Sequence, residues 1–211
     1  MQSDDETLAE DLPGALVAAG HGHGDDPEAL LRRHLSSGET RLRVVALRGA
    51  ARQGFLNDGE WLALLDDPDV EVRRDVIRLL AYREVITDEL LRRLVVALSD
   101  DDALVSERAA FALGEHHCSA ALDALATMAR DHDDARCRES AVAALGALGE
   151  ESGLSAIIAA LDDKAPIRRR AIVALSNFEG PRVDEALERA RDDRDWQVRA
   201  AVTQLGRHEN D

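Results

Sequence analysis

One phrase recurs along this chain, and its spacing limits the fold more than any single residue does. Residues 66–81 read DDPDVEVRRDVIRLLA, and residues 162–176 read DDKAPIRRRAIVALS. Aligned on the arginine of the phrase, the register runs through Arg43, Arg73, Ser106, Arg138, Arg168 and Arg199, in steps of 30, 33, 32, 30 and 31 residues. A near-constant period of this size marks units that cannot bury their apolar faces alone and stack on one another as a solenoid.

Within each unit the pattern predicts two helices. Counted from the aligned residue of the first helix, positions −1, +3, +4 and +7 are apolar. They are Val72, Val76, Ile77 and Leu80; Val105, Ala109, Ala110 and Leu113; Cys137, Ala141, Val142 and Leu145; and Ile167, Ala171, Ile172 and Leu175. This is one buried stripe on a 3.6-residue period. A shorter second helix is predicted over 87–99, 119–130, 153–161 and 181–191, with Thr87 and Ser119 as N-caps and Pro181 in a first turn. Gly114, Gly146 and Gly180 fall near predicted helix ends, where a left-handed residue is often required. Aromatic residues make up only 3% of the chain, so Leu, Ala and Val do the packing, which suits close-packed helices. The predicted fold class is all-α, an α-α superhelix of about five to six two-helix repeats.

The ends differ from the body. Residues 25–37, DDPEALLRRHLSS, read as a capping helix, with Asp26 as N-cap, Pro27 in the first turn and Leu30, Leu31 and Leu35 inward. A single solenoid is therefore expected over 25–211. Residues 1–24 read as an acidic, flexible leader: Leu8, Leu12, Leu16 and Val17 keep helical spacing, but Pro13 and Gly14 interrupt it.

The formal charge is −16, and half of it sits at the start. Residues 1–30 hold eight Asp or Glu and no Lys or Arg, which leaves 34 acids against 26 bases in the rest. A negative field disfavours nucleic acid and anionic membranes as partners. Lys164 is the only lysine beside 25 arginines, a composition like that of proteins from salt-loving cells, where charge is screened over short distances. No apolar run approaches the roughly 20 residues of a membrane span, and MQSDDETLAEDL lacks the plan of a signal peptide. A cytoplasmic, monomeric protein is expected. Cys118 and Cys137 read as free thiols.

The units resemble HEAT repeats of the short bilin-lyase-like (PBS-lyase-like) subclass. The resemblance rests on the Asp–x5–Arg spacing of Asp67/Arg73, Asp162/Arg168 and Asp193/Arg199, and on the tail formed by Ala141, Leu145 and Gly146 and by Leu113 and Gly114. It covers roughly residues 36–206. It implies that aspartate and arginine tie neighbouring units as a ladder, here Asp67, Arg73, Arg138, Asp162, Arg168, Asp193 and Arg199. Two units depart from it: Ser106 stands for the arginine of one, and His132 for the aspartate before Arg138. The resemblance also implies that second helices line the concave face. Their residues off the buried stripe are then the protein-binding candidates: Arg92, Arg93, Asp123, Thr127, Ser155, Asp184, Glu185 and Glu188, basic first and acidic last.

Some proteins of similar architecture are enzymes. Deoxyhypusine hydroxylases bind iron through His-Glu pairs directly after the repeat arginine. Here that place holds Val44-Val45, Arg74-Asp75, Glu107-Arg108, Glu139-Ser140 and Arg169-Arg170, and the sole His-Glu pair is terminal, at His208-Glu209. That activity is disfavoured. His116, His117 and Cys118 adjoin, with His132 further on, but adjacent histidines point apart and no finger-like spacing completes a zinc set; His21 and His23 are a weaker case. No GxSxG, P-loop or GxGxxG occurs. A DNA-glycosylase-like surface would need a basic face with aromatics, whereas Trp61 and Trp196 lie far apart and Asp162-Asp163 precede the run Arg168-Arg169-Arg170. The reading is a non-catalytic protein–protein scaffold or adaptor without metal or cofactor, its partner one or more proteins. The alternatives are a bilin-lyase-like or chaperone activity and a taxis-signalling adaptor.

Overall fold

The computed structural model describes residues 12–208. Leu8 and Glu209 lie outside the described residues. Among those described, thirteen α-helices and three short 3-10 turns are the regular elements. The described residues fall into two compact units, the first up to Leu79 and the second from Leu80.

The first unit holds α1 (Leu12–Gly20), α2 (Pro27–His34), α3 (Thr40–Gln53), α4 (Asp58–Leu65) and all but the last residue of α5 (Val70–Leu80). Helix α1 occupies the described part of the expected leader. Leu16 and Ala19 are fully buried, and α1 packs on α2 and α3. Pro13 is tolerated because it falls in the first turn, where its missing N–H has no helical acceptor. Asp26 caps α2 by accepting the Ala29 N–H at 3.0 Å. Leu31 is fully buried, while Leu30 and Leu35 are half-buried. Asn57 and Glu60 close a reciprocal capping box on α4.

The second unit holds α6 (Asp88–Ala97), α7 (Ala103–Glu115), α8 (Leu122–Asp131), α9 (Ala135–Leu148), α10 (Leu154–Ala159), α11 (Ala165–Leu175), α12 (Pro181–Arg191) and α13 (Trp196–His208). The first helices of the repeats form one layer, in which α9 packs on α7 and α11, and α11 on α13. The second helices α6, α8, α10 and α12 form the other layer. The stripe residues Val105, Ala109, Ala110, Leu113, Cys137, Ala141, Val142, Leu145, Ile167, Ala171, Ile172 and Leu175 are all buried between the layers. Each large one contributes roughly 1.5–3 kcal/mol.

Glycine has another use here than the one expected. Gly114 and Gly146 lie inside α7 and α9, and of the three predicted end glycines Gly180 has a positive φ, 110°. A Cβ on Gly114 would meet Ala144 Cα at 3.0 Å, and one on Gly146 would meet Ala174 Cα at 2.8 Å. These glycines let the first helices approach almost backbone to backbone.

Arginine forks tie unit to unit. Arg43 Nε and Nη2 reach the two Asp67 oxygens at 2.8 Å each. Arg138 grips Asp163 at 2.7 and 2.9 Å, and Arg168 grips Asp193 at 2.8 and 2.7 Å. Partners are 24 or 25 residues apart, so each fork reaches the acid of the following unit. The third prong, Nη1, holds the turn before the arginine's own helix. Arg138 bonds His132 O at 2.7 Å, Arg168 bonds Asp163 O at 2.8 Å, and Arg73 and Arg199 bond Asp67 O and Asp193 O at 3.0 and 2.6 Å. The acid facing Arg138 is Asp163, not Asp162. Asp162 is exposed and lies 3.7 Å from Arg189. The turn before Arg168 is one residue shorter than the others, which moves the second aspartate of the pair into the rung.

The two departures from the pattern meet in one place. Ser106 is fully buried, and its Oγ donates to Asp100 O at 3.1 Å, so it keeps the turn contact and has no fork. His132 stands where the following unit's acid would receive that fork. Its Nδ1 accepts the Asp134 N–H at 3.1 Å, as Asp193 accepts the Asp195 N–H at 2.7 Å. Arginine and acid are replaced together, so neither leaves a buried charge unpaired.

Three outcomes follow. Ser106→Arg alone should cost about 2–3 kcal/mol in urea unfolding, because a buried guanidinium lacks its acid; adding His132→Asp should recover at least half, and strictly additive effects would exclude a rung. Gly146→Ala should cost about 2 kcal/mol as α9 and α11 are forced apart, seen as a lower urea midpoint. The Arg138 fork holds the Asp163 carboxyl below its usual range, and the Arg168 fork does the same for Asp193. A depressed folded-state value contributes stability above the unfolded value of about 3.9, and this is lost as pH falls through the folded value. The urea midpoint should therefore hold from pH 7 to about 5 and fall below about 4, and Asp163→Asn with Asp193→Asn should flatten that fall.

Candidate functional site

The second-helix candidates are spread over four helices. Arg92 on α6 is exposed and Arg93 half-buried. Asp123 and Thr127 on α8 are exposed and border a hollow of about 580 Å³ with Asp131 and His132. Ser155 Oγ on α10 accepts from Arg182 Nη2 at 3.0 Å. Asp184, Glu185 and Glu188 on α12 are exposed, and Glu188 pairs with Arg191 at 2.8 Å. The structure brings Asp123 and Thr127 together, and Asp184 with Glu185 and Glu188.

The opposite face of the second unit went unread in the sequence. Its helices are drawn together by the Gly114–Ala144 and Gly146–Ala174 seams. On this face Glu107, Glu139, Ser140, Ala143 and Arg169 are half-buried, and Phe111, Glu115, Arg136, Arg170 and Val173 are exposed. Between α7 and α9 lies a hollow of about 400 Å³, floored by Gly114, Ala143, Ala144 and Ala147. Phe111 walls it, 41% exposed, its ring 6.1 Å from that of Tyr82. A second hollow, of about 280 Å³, lies between α11 and α13 beside Val173 and Trp196, the latter 67% exposed. Arg170 borders both. The signal was available as the variable positions between stripe residues, Phe111, Ala143 and Val173, but spacing alone does not show the hollows between neighbouring helices.

Charges on this face are partly engaged. Arg136 forks Asp134 at 2.8 and 3.3 Å, and this guanidinium, with the Arg136 N–H, holds the Asp134 carboxyl down to about 2. Arg170 lies 3.5 Å from Glu139. The triple-arginine run is spent within the unit: Arg168 on Asp193, Arg169 on Gln197 Oε1 at 2.8 Å, and Arg170 on Glu139. In the first unit, buried Asp75 accepts from Arg48 and, at 3.1 Å, from Arg78. Burial pushes that carboxyl up, but the two guanidiniums outweigh it and leave it below its usual value.

The histidines are held apart. His116 Nε2 lies 2.8 Å from Leu80 O and His117 Nδ1 3.1 Å from Ala147 O, with His117 in a left-handed turn at φ 47°. Among the described residues no group of three or more His, Cys, Asp or Glu is placed to hold a metal ion. Both cysteines are buried and free. Burial pushes the Cys137 thiol up to about 11, and it donates to Ala103 O at 3.1 Å. No described helix is long and apolar enough to cross a membrane.

Known structures share this architecture. An engineered protein matches with a TM-score of 0.63 at 20% identity, over 87% of this chain and 97% of its own. A designed armadillo repeat protein, solved in complex with the peptide (KR)4, matches at 0.56 and 18%, over 93% and 98%. YibA of E. coli matches at 0.61 and 17%, over 89% and 71%. At such identities the likeness shows the fold alone. No curated protein matches the chain. The family model of HEAT repeats matches residues 60–146 and 122–206. Those spans include the forks of Arg138 and Arg168 and both glycine seams, and the chain belongs to the HEAT-repeat family.

Proposed function

We propose that the chain is a non-catalytic scaffold or adaptor that binds a partner protein on the first-helix face of its second unit. One observation carries the reading: Phe111, Val173 and Trp196 stand exposed along the first-helix layer. Exposed large apolar residues along one face serve as anchors of protein interfaces. The ladder and the stripe do not use them, so stacking leaves them without a structural task. The second-helix residues Arg92, Arg93, Asp123, Thr127, Ser155, Asp184, Glu185 and Glu188 lie on the opposite layer. The peptide complex of the designed armadillo repeat protein supports the reading by analogy of fold.

Tagged full-length chain, purified at the salt of its host cell, should retain a protein in near-stoichiometric amount by mass spectrometry. Recovery of none across a range of salt would overturn the scaffold reading.

A further inference from the structure

The geometry points to the α7–α9 hollow as a socket for an arginine or lysine side chain of an extended partner segment. The inference rests on the scaffold reading and names the chemistry of its partner. The floor is made of Gly114, Ala143, Ala144 and Ala147, small and apolar enough to seat a methylene stem. The wall is Phe111, backed by Tyr82, and aromatic faces attract cations.

The charge left over in the hollow is negative. Its two cations are engaged, Arg136 by Asp134 and Arg170 by Glu139. Glu107 and Glu115 also line it; Glu107 acts on Arg136 through longer-range attraction, without a hydrogen bond to it. The first unit shows what such a set holds. There Arg32 lies over the Phe55 ring, 4.6 Å from its centroid, with Nε 2.9 Å from Glu28 and Nη1 on Glu60. Two glutamates and a phenylalanine clasp a guanidinium in that place; Glu107, Glu115 and Phe111 present the same groups to solvent. The adjoining α11–α13 hollow, with Val173 and Trp196, takes a large apolar residue further along the same segment. A net charge of −16 also steers a cationic segment inward.

The test is fluorescence anisotropy on the full-length chain with labelled octapeptides (KR)4, (QN)4 and (ED)4, from low to moderate salt. The basic peptide should bind and the other two should not. Glu107→Gln with Glu115→Gln should weaken binding by about tenfold or more, and Phe111→Ala by about threefold or more. Asp184→Asn with Glu185→Gln removes as many charges from the second-helix layer and should change affinity by less than about twofold. These neutralising pairs keep side-chain shape, and circular dichroism confirms folding. Equal weakening by the two pairs would reduce the effect to overall charge and overturn the socket, as would no binding of (KR)4 at the lowest salt. A cellular partner retained as well by the Glu107, Glu115 and Phe111 variants as by the wild type would overturn the socket and leave the scaffold reading standing.

Discussion

The fork of an arginine that reaches across to the next unit and back to its own turn fixes the rest of this structure. Its Nε and Nη2 fix the distance to the following repeat through one carboxylate, and its Nη1 fixes the turn that starts its own helix. One planar group therefore couples local geometry to stacking. The forks are largely buried, where breaking one costs more than making it gains. Geometric register, more than net stability, is what they supply. The stripe and the glycine seams add apolar contact only once the units are in that register.

The sequence made the period and the stripe legible because both follow from helix geometry, and Val105, Leu113, Val142, Ile172 and Leu175 are buried where the spacing puts them. The ladder residues were visible but not their pairing. Arg73 and Asp67 stand close in one phrase, yet it is Arg43 that holds the Asp67 carboxylate, and Arg73 touches its main chain. Spacing within a phrase cannot show a partner 24 or 25 residues away. Choosing Asp162 over Asp163 failed for a related reason: the rung acid is set by turn length, and one turn is a residue shorter.

The binding face was harder to read. The first-helix face is drawn together by Gly114 and Gly146, which look in sequence like helix stops. Helix α1 was hidden likewise, since Pro13 reads as a breaker until its place in the first turn is known. Phe111 and Trp196 are single aromatics in a chain of few, without a pattern of their own.

The joint between α7 and α9 lacks a rung, because Ser106 and His132 replace its two halves. Neutral groups hold it instead: Cys137 Sγ donates to Ala103 O at 3.1 Å, Ser140 Oγ donates to Glu107 O at 3.0 Å, and Gly114 rests on Ala144. The 400 Å³ hollow opens between those same two helices. Its width is thus set by uncharged contacts, which salt does not screen.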